Sequence, residues 1–155
     1  MSIAAAERAW CLVVPHHARG ARVARQRLAN ELAGCVSPPL LAGVITVIAE
    51  LVGNAVRHAE PLPGGVVRVA WRLRPKGGHQ LIEVRVTDGG APGEPRVRTV
   101  DLEASDGRGL TIVAALADRW GVDRDGLGQS VWAELSPAVA PAPVAPTDQG
   151  LISTL

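Results

Sequence analysis

The chain has 155 residues, of which 47% are hydrophobic, and a formal net charge of +1. That length suits one domain with a buried core, and the near-neutral charge excludes bulk electrostatic attraction to nucleic acid or an anionic membrane. Phe and Tyr are absent and the four Trp are the only aromatic residues, so Leu, Val, Ile and Ala must build that core.

The run from Trp10 to Val14 reads as a strand closed by Pro15. His16 to Gly34 reads as a helix, with Ala21, Ala24, Leu28 and Leu32 as its apolar face and Gly34 as its stop. Its arginines, Arg19, Arg22, Arg25 and Arg27, read as a solvated face rather than a nucleic-acid patch, given the balanced total charge. Pro38 to Ala59 is long, apolar and free of internal proline, which favours a buried helix over a strand. Ser37 is its candidate N-cap and Pro38 an acceptable first-turn residue. Glu60 to Gly65 breaks that helix. Val66 to Leu73 and Leu81 to Thr87 alternate apolar with polar residues around a turn at Gly77-Gly78, and so form a hairpin. Asp88 to Gly109 is rich in Gly, Pro and Arg and suits a lid or disordered segment. Leu110 to Asp118 returns to helix. Trp120 to Val122 and Ser130 to Leu135 read as a last strand pair.

These elements predict one domain over 8–136, an α/β sandwich of two layers. Its sheet is expected to be mixed but mostly antiparallel and covered on one face by helices. The Ala/Pro-rich stretch 137–155 is expected to be an extended tail outside the fold. Cys11 and Cys35 are too few and too far apart for a disulfide framework or a zinc site, and are expected to be buried thiols in a reducing compartment. No basic start precedes a long apolar run, and Leu40 to Ala49 is too short to span a bilayer. A cytoplasmic protein is expected.

Three segments carry candidate chemistry. On the long helix, Thr46, Glu50, Asn54 and His58 recur every four residues and draw a drifting polar stripe. Glu50 and Asn54 stand roughly 6 Å apart along the axis. A carboxylate beside a carboxamide supplies a base and a neutral oxygen ligand, suited to Mg²⁺ and an activated hydroxyl. An ordinary amphipathic face meeting water accounts for the same stripe. Asp88, at a strand end before Gly89 and Gly90, suits a pocket floor that accepts a hydrogen bond from an exocyclic amine such as that of adenine. A simple turn is the alternative. Asp106-Gly-Arg-Gly-Leu110, directly before a helix, offers backbone N–H groups and the Arg108 guanidinium to an anion. A glycine-flanked cap is the alternative there. Neither Gly107-Arg-Gly109 nor Gly126-Leu-Gly128 completes a dinucleotide motif, and no P-loop pattern occurs.

In this order the segments Glu50-Leu-Val-Gly-Asn54-Ala-Val-Arg-His58-Ala, Thr87-Asp88-Gly-Gly90 and Gly107-Arg-Gly109-Leu110 resemble the N, G1 and G2 boxes of the GHKL ATPase superfamily. The Asn-Ala-x-x-His-Ala ending and Val131-Trp-Ala-Glu-Leu135 are most similar to the anti-sigma-factor serine/threonine kinases, over roughly Cys11 to Ser136. The resemblance implies a histidine-kinase-like ATPase fold with ATP and Mg²⁺ as cofactors. It implies Glu50 as general base, Asn54 as ligand of the ATP-bound Mg²⁺ and Asp88 as reader of the adenine amine. Gly90 would shape the pocket, and Gly107, Arg108, Gly109 and Leu110 would close on the phosphates. Ser130 would support Asp88 through a water. Arg57 lies near the phosphate end, and His58 is read as structural. The implied partners are a sigma factor and a STAS-domain anti-sigma-factor antagonist, without direct nucleic-acid or membrane contact, and the resemblance allows a homodimer through the sheet.

One departure stands out. Pro92 occupies the place of the second G1 glycine, with Gly93 one residue on. It leaves room for a second functional class, a regulatory module that binds nucleotide without transferring phosphate. A nucleic-acid binder built on the arginine helix is a third class, which the net charge of +1 does not support.

Overall fold

The structure is a computed structural model, described here for residues 7–90, 108–126 and 128–137. Its elements in chain order are β1 (Arg8–Pro15), α1 (Ala18–Leu32), α2 (Pro38–His58), β2 (Val66–Lys76), β3 (His79–Asp88), α3 (Arg108–Leu116), β4 (Arg119–Asp125) and β5 (Gly128–Leu135). The five strands form one sheet in the order β1-β2-β3-β5-β4.

Every strand pairing among the described residues is antiparallel, so the expected mixed sheet is antiparallel throughout. The order explains why. β5 returns between β3 and β4, and no helical crossover links two parallel neighbours. The hairpin of β2 and β3 closes on Gly77 and Gly78, between the paired Lys76 and His79. Both glycines have positive φ, 54° and 81°, as a tight two-residue hairpin turn requires.

Strand alternation sorts the sheet into two faces. Val67, Val69, Trp71 and Leu73 of β2, Ile82, Val84 and Val86 of β3, and Val131, Ala133 and Leu135 of β5 are buried in one core with the helices. α2 contributes Leu40, Val44, Val47, Ile48, Leu51, Val52 and Ala55, and α1 contributes Ala24, Leu28 and Leu32. Each fully buried Val, Leu or Ile contributes about 1.5–3 kcal/mol, so α2 anchors the layer it lies in. Taken whole, α2 is long and apolar enough to cross a membrane, a length that the stretch Leu40 to Ala49 understated. Its apolar face is instead packed into the core.

Local corrections have local causes. α1 starts at Ala18 rather than His16, because His17 is extended and caps it, accepting from the Arg19 amide. Cys11 is exposed, since Trp10, Leu12 and Val14 take the core-facing positions of β1. Cys35 is half-buried, with its Sγ 3.4 Å from Arg8 Nη1. The tail 138–155 and most of the segment expected to form a lid lie outside the described residues.

Candidate functional site

α2 begins at Ser37, whose hydroxyl accepts from the Leu40 amide, and carries Pro at its first positions. Its polar stripe divides on inspection. Thr46 donates its hydroxyl to the Ala42 carbonyl at 2.9 Å and is satisfied on its own helix. Glu50 is half-buried and makes no ion pair among the described residues. Asn54 is also half-buried. Its Oδ1 is shielded from solvent and meets no hydrogen-bond donor among the described residues. A buried carbonyl oxygen left so is costly, by about 1–3 kcal/mol, and is a natural ligand for a hard cation. Arg57 is exposed, and its guanidinium folds back over Gly53, where an added Cβ would lie 3.0 Å from Nη1. His58 is half-buried in the last turn.

Asp88 closes β3 on the helix-facing side of the sheet and is only 3% exposed. Its Oδ1 accepts from the Gly90 amide at 2.7 Å. Burial raises its carboxyl above the ordinary value of 3.8, while the Gly90 amide and the charges of His16 and Arg124 act in the other direction. A buried, hydrogen-bonded carboxylate with one oxygen already engaged suits recognition of an amine.

Backbone bonds bring Asp88 and α2 together. Gly89 donates to the Glu60 carbonyl at 2.7 Å, and Glu60 donates to the Gly90 carbonyl at 2.9 Å. The exit of α2 is therefore fastened to the residues just after Asp88. The approach is close enough to exclude side chains. A Cβ on Gly89 would strike the carbonyl oxygens of Pro61 and Glu60, and one on Gly128 would strike that of Asp88. Gly90 has φ 82°, a conformation that favours glycine.

The third segment is described in part. Gly107, Pro92 and Gly93 lie outside the described residues. Arg108 and Gly109 open α3, and Leu110 is half-buried against the core.

Ser130 is a correction. It pairs with Thr87 across the sheet, and their hydroxyls are 2.7 Å apart. Thr87 and Asp88 are consecutive in a strand, so they point to opposite faces. Ser130 is thus on the face away from Asp88. The residue opposite Asp88 is Gln129, and opposite Gln129 on β4 is Arg124. Asp88, Gln129 and Arg124 form a row across the helix-facing side of three strands. Alternation held the signal, since Val131, Ala133 and Leu135 face the core and place Gln129 with them.

No group of three or more His, Cys, Asp or Glu among the described residues is arranged to hold a metal. The single buried oxygen of Asn54 fits Mg²⁺, which takes one or two protein oxygens and completes its shell from phosphates and water.

The family model for the histidine kinase-like ATPase domain matches residues 13–135. No curated protein matches the chain significantly.

Proposed function

This chain belongs to the histidine kinase-like ATPase domain family, and on that premise we propose that it is an ATP-dependent serine/threonine protein kinase of the anti-sigma-factor type. The observation that carries the reading is the buried Oδ1 of Asn54, which meets no hydrogen-bond donor among the described residues, near the exit of a helix bonded to the residues just after the buried carboxylate of Asp88. One offers an oxygen to a phosphate-bound cation. The other offers an acceptor to the adenine amine.

Asp88 receives a hydrogen bond from the exocyclic amine of adenine, and Gly89 and Gly90 let the flat base approach the backbone. Asn54 Oδ1 would hold the Mg²⁺ that accompanies ATP. The ion, when bound, neutralises phosphate charge. The start of α3, at Arg108, Gly109 and Leu110, would offer backbone N–H groups to the phosphates, with Gly107 before it having the same proposed task. Arg57, one turn beyond Gly53, supplies a cation near the same end. Glu50 stands one turn before Asn54 and acts as general base. It takes the proton of the acceptor hydroxyl as that oxygen bonds to the γ-phosphorus. The bond from γ-phosphorus to its bridging oxygen breaks, and ADP leaves.

The acceptor in this reading is a Ser or Thr of a STAS-domain anti-sigma-factor antagonist, with a sigma factor as the second partner, in the cytoplasm. The second face of the sheet, covered by no helix among the described residues, is open to a homodimer.

The test is transfer of labelled γ-phosphate from ATP to a purified STAS-domain protein of the same genome, with Mg²⁺. Label on a single serine or threonine supports the kinase. Tight ATP binding with no transfer to any such protein supports instead the nucleotide-binding regulatory module that Pro92 in the G1 box leaves open.

A further inference from the structure

The geometry points to His16 as a positioning residue of the nucleotide site, one that fastens the end of α2 to the 60–65 loop and through it sets the floor at Asp88. The inference rests on the reading of Asp88 as the residue that meets adenine.

His16 stands between β1 and α1, and it reaches across to a different part of the fold. Its Nε2 lies 3.1 Å from the Ala55 carbonyl oxygen and 2.9 Å from that of Ala59. Carbonyl oxygens only accept, so Nε2 carries a proton and donates to both. Ala55 is in the last turn of α2, where its carbonyl also accepts from the Ala59 amide at 3.1 Å, and Ala59 is the C-cap, whose own carbonyl lies beyond the helix ladder. The His16 amide donates to the Gly65 carbonyl at 2.9 Å. One residue thus holds both ends of the loop, Ala59 just before it and Gly65 at its close.

Between those ends the loop is turned on itself, the Leu62 carbonyl accepting from the amides of Gly65 at 3.0 Å and Val66 at 3.5 Å. Pro61 and Pro63 give no amide, and Gly64 and Gly65 have φ of 92° and 74°. Leu62 donates to Val66 at 2.8 Å, and Glu60 makes the two backbone bonds to Gly89 and Gly90. A displacement of Ala59 would be passed to Glu60, and from Glu60 to the residues that place Asp88. His16 also acts on the Asp88 carboxyl electrostatically. His17, next in the chain, serves another element, as the cap of α1.

The test compares wild type, His16→Ala and His16→Gln. A glutamine amide nitrogen reaches about as far as Nε2 and still donates to carbonyls, whereas alanine does not. Amide hydrogen exchange of Glu60, Gly89 and Gly90 is measured without nucleotide, beside titrations with ATP and inorganic triphosphate. In H16A those three amides should exchange about tenfold faster, with the core amides of α1 and β2 unchanged. ATP affinity should fall about tenfold and triphosphate affinity should fall less, as expected for loss of one well-placed hydrogen bond at the base end. H16Q should restore most of both. Wild-type exchange at Gly89 and Gly90 in H16A would overturn the inference. So would faster exchange with unchanged ATP affinity, or a chain-wide rise that H16Q does not reverse. A wild-type protein that binds no ATP would instead overturn the ATP assignment, and the exchange result would still judge the clasp.

Discussion

Gly89 donates its amide to the carbonyl of Glu60 at 2.7 Å, and this contact joins the end of β3 to the exit of α2. The two halves of the proposed site are 34 positions apart in the chain, as the difference between Asn54 and Asp88. Packing of α2 on the sheet places them on the same side, and the Glu60–Gly89 contact sets their spacing.

Gly89→Ala should therefore damage the site more than the fold. The new methyl group would meet the carbonyl oxygens of Pro61 and Glu60, and overpacking of this kind costs about 1–3 kcal/mol. The expected result is a melting temperature lowered by several degrees and ATP affinity lowered at least about tenfold. Wild-type affinity in a folded G89A protein would show that the spacing is not critical.

Asp88→Asn should raise stability while lowering affinity. Burial raises the folded-state pKa of Asp88 above 3.8, so the folded protein holds this proton more tightly than the unfolded chain. Stability from this group is greatest below the unfolded pKa and is lost as pH rises through the folded one. An amide has no proton to lose, and its oxygen still accepts from Gly90. At pH 7, D88N should melt at or above the wild-type temperature, and its melting curve should lack the decline that wild type shows on rising from acid. Its ATP affinity should fall by about ten- to a hundredfold, the value of a charge-assisted hydrogen bond, with a smaller loss for inorganic triphosphate. Equal losses for both ligands would remove Asp88 from base recognition.

Gln129→Ala and Ser130→Ala separate the two faces of β5. Gln129 lies opposite Asp88, and Ser130 lies opposite Thr87. Q129A should weaken ATP severalfold, and S130A should leave the affinity within about twofold while losing its part-buried hydrogen bond to Thr87, worth roughly 1 kcal/mol. The reverse order, measured by calorimetry on both variants, would place the nucleotide on the other side of the sheet.

Much of this was legible in the residues. Ser37, Pro38 and a long, mostly apolar run without internal proline foretold α2, and Gly77-Gly78 between alternating segments foretold the β2–β3 hairpin. The site was legible as three segments but not as a geometry. The Glu60–Gly89 contact is made by backbone atoms, so no side-chain pattern marks it. Ser130 was assigned by its place in a motif, where alternation along β5 selects Gln129. His16 was read into a helix because nothing local shows that its partners are Ala55 and Ala59, about 40 residues on.

Glu50→Ala should separate binding from transfer. Glu50 is half-buried one turn before Asn54, and its proposed task is to take a proton. Removal of a general base lowers rates by about 10²–10⁴-fold, while ATP affinity should stay within about threefold of wild type. Single-turnover transfer to a STAS-domain acceptor reads the first quantity and a binding curve on the same preparation reads the second. Transfer at the wild-type rate would remove Glu50 from the chemistry.

The most direct measurement is calorimetric titration of ATP into wild type and Asn54→Ala, each with Mg²⁺ and with EDTA. Asn54 Oδ1 is buried and meets no donor among the described residues, so its loss should leave the fold intact and remove the metal's protein ligand. Wild type should bind ATP far more tightly with Mg²⁺ than with EDTA. N54A should bind about tenfold or more weakly with Mg²⁺ and show little difference between the two conditions. Equal, Mg²⁺-dependent binding by both proteins, or no ATP binding by wild type, would contradict the account.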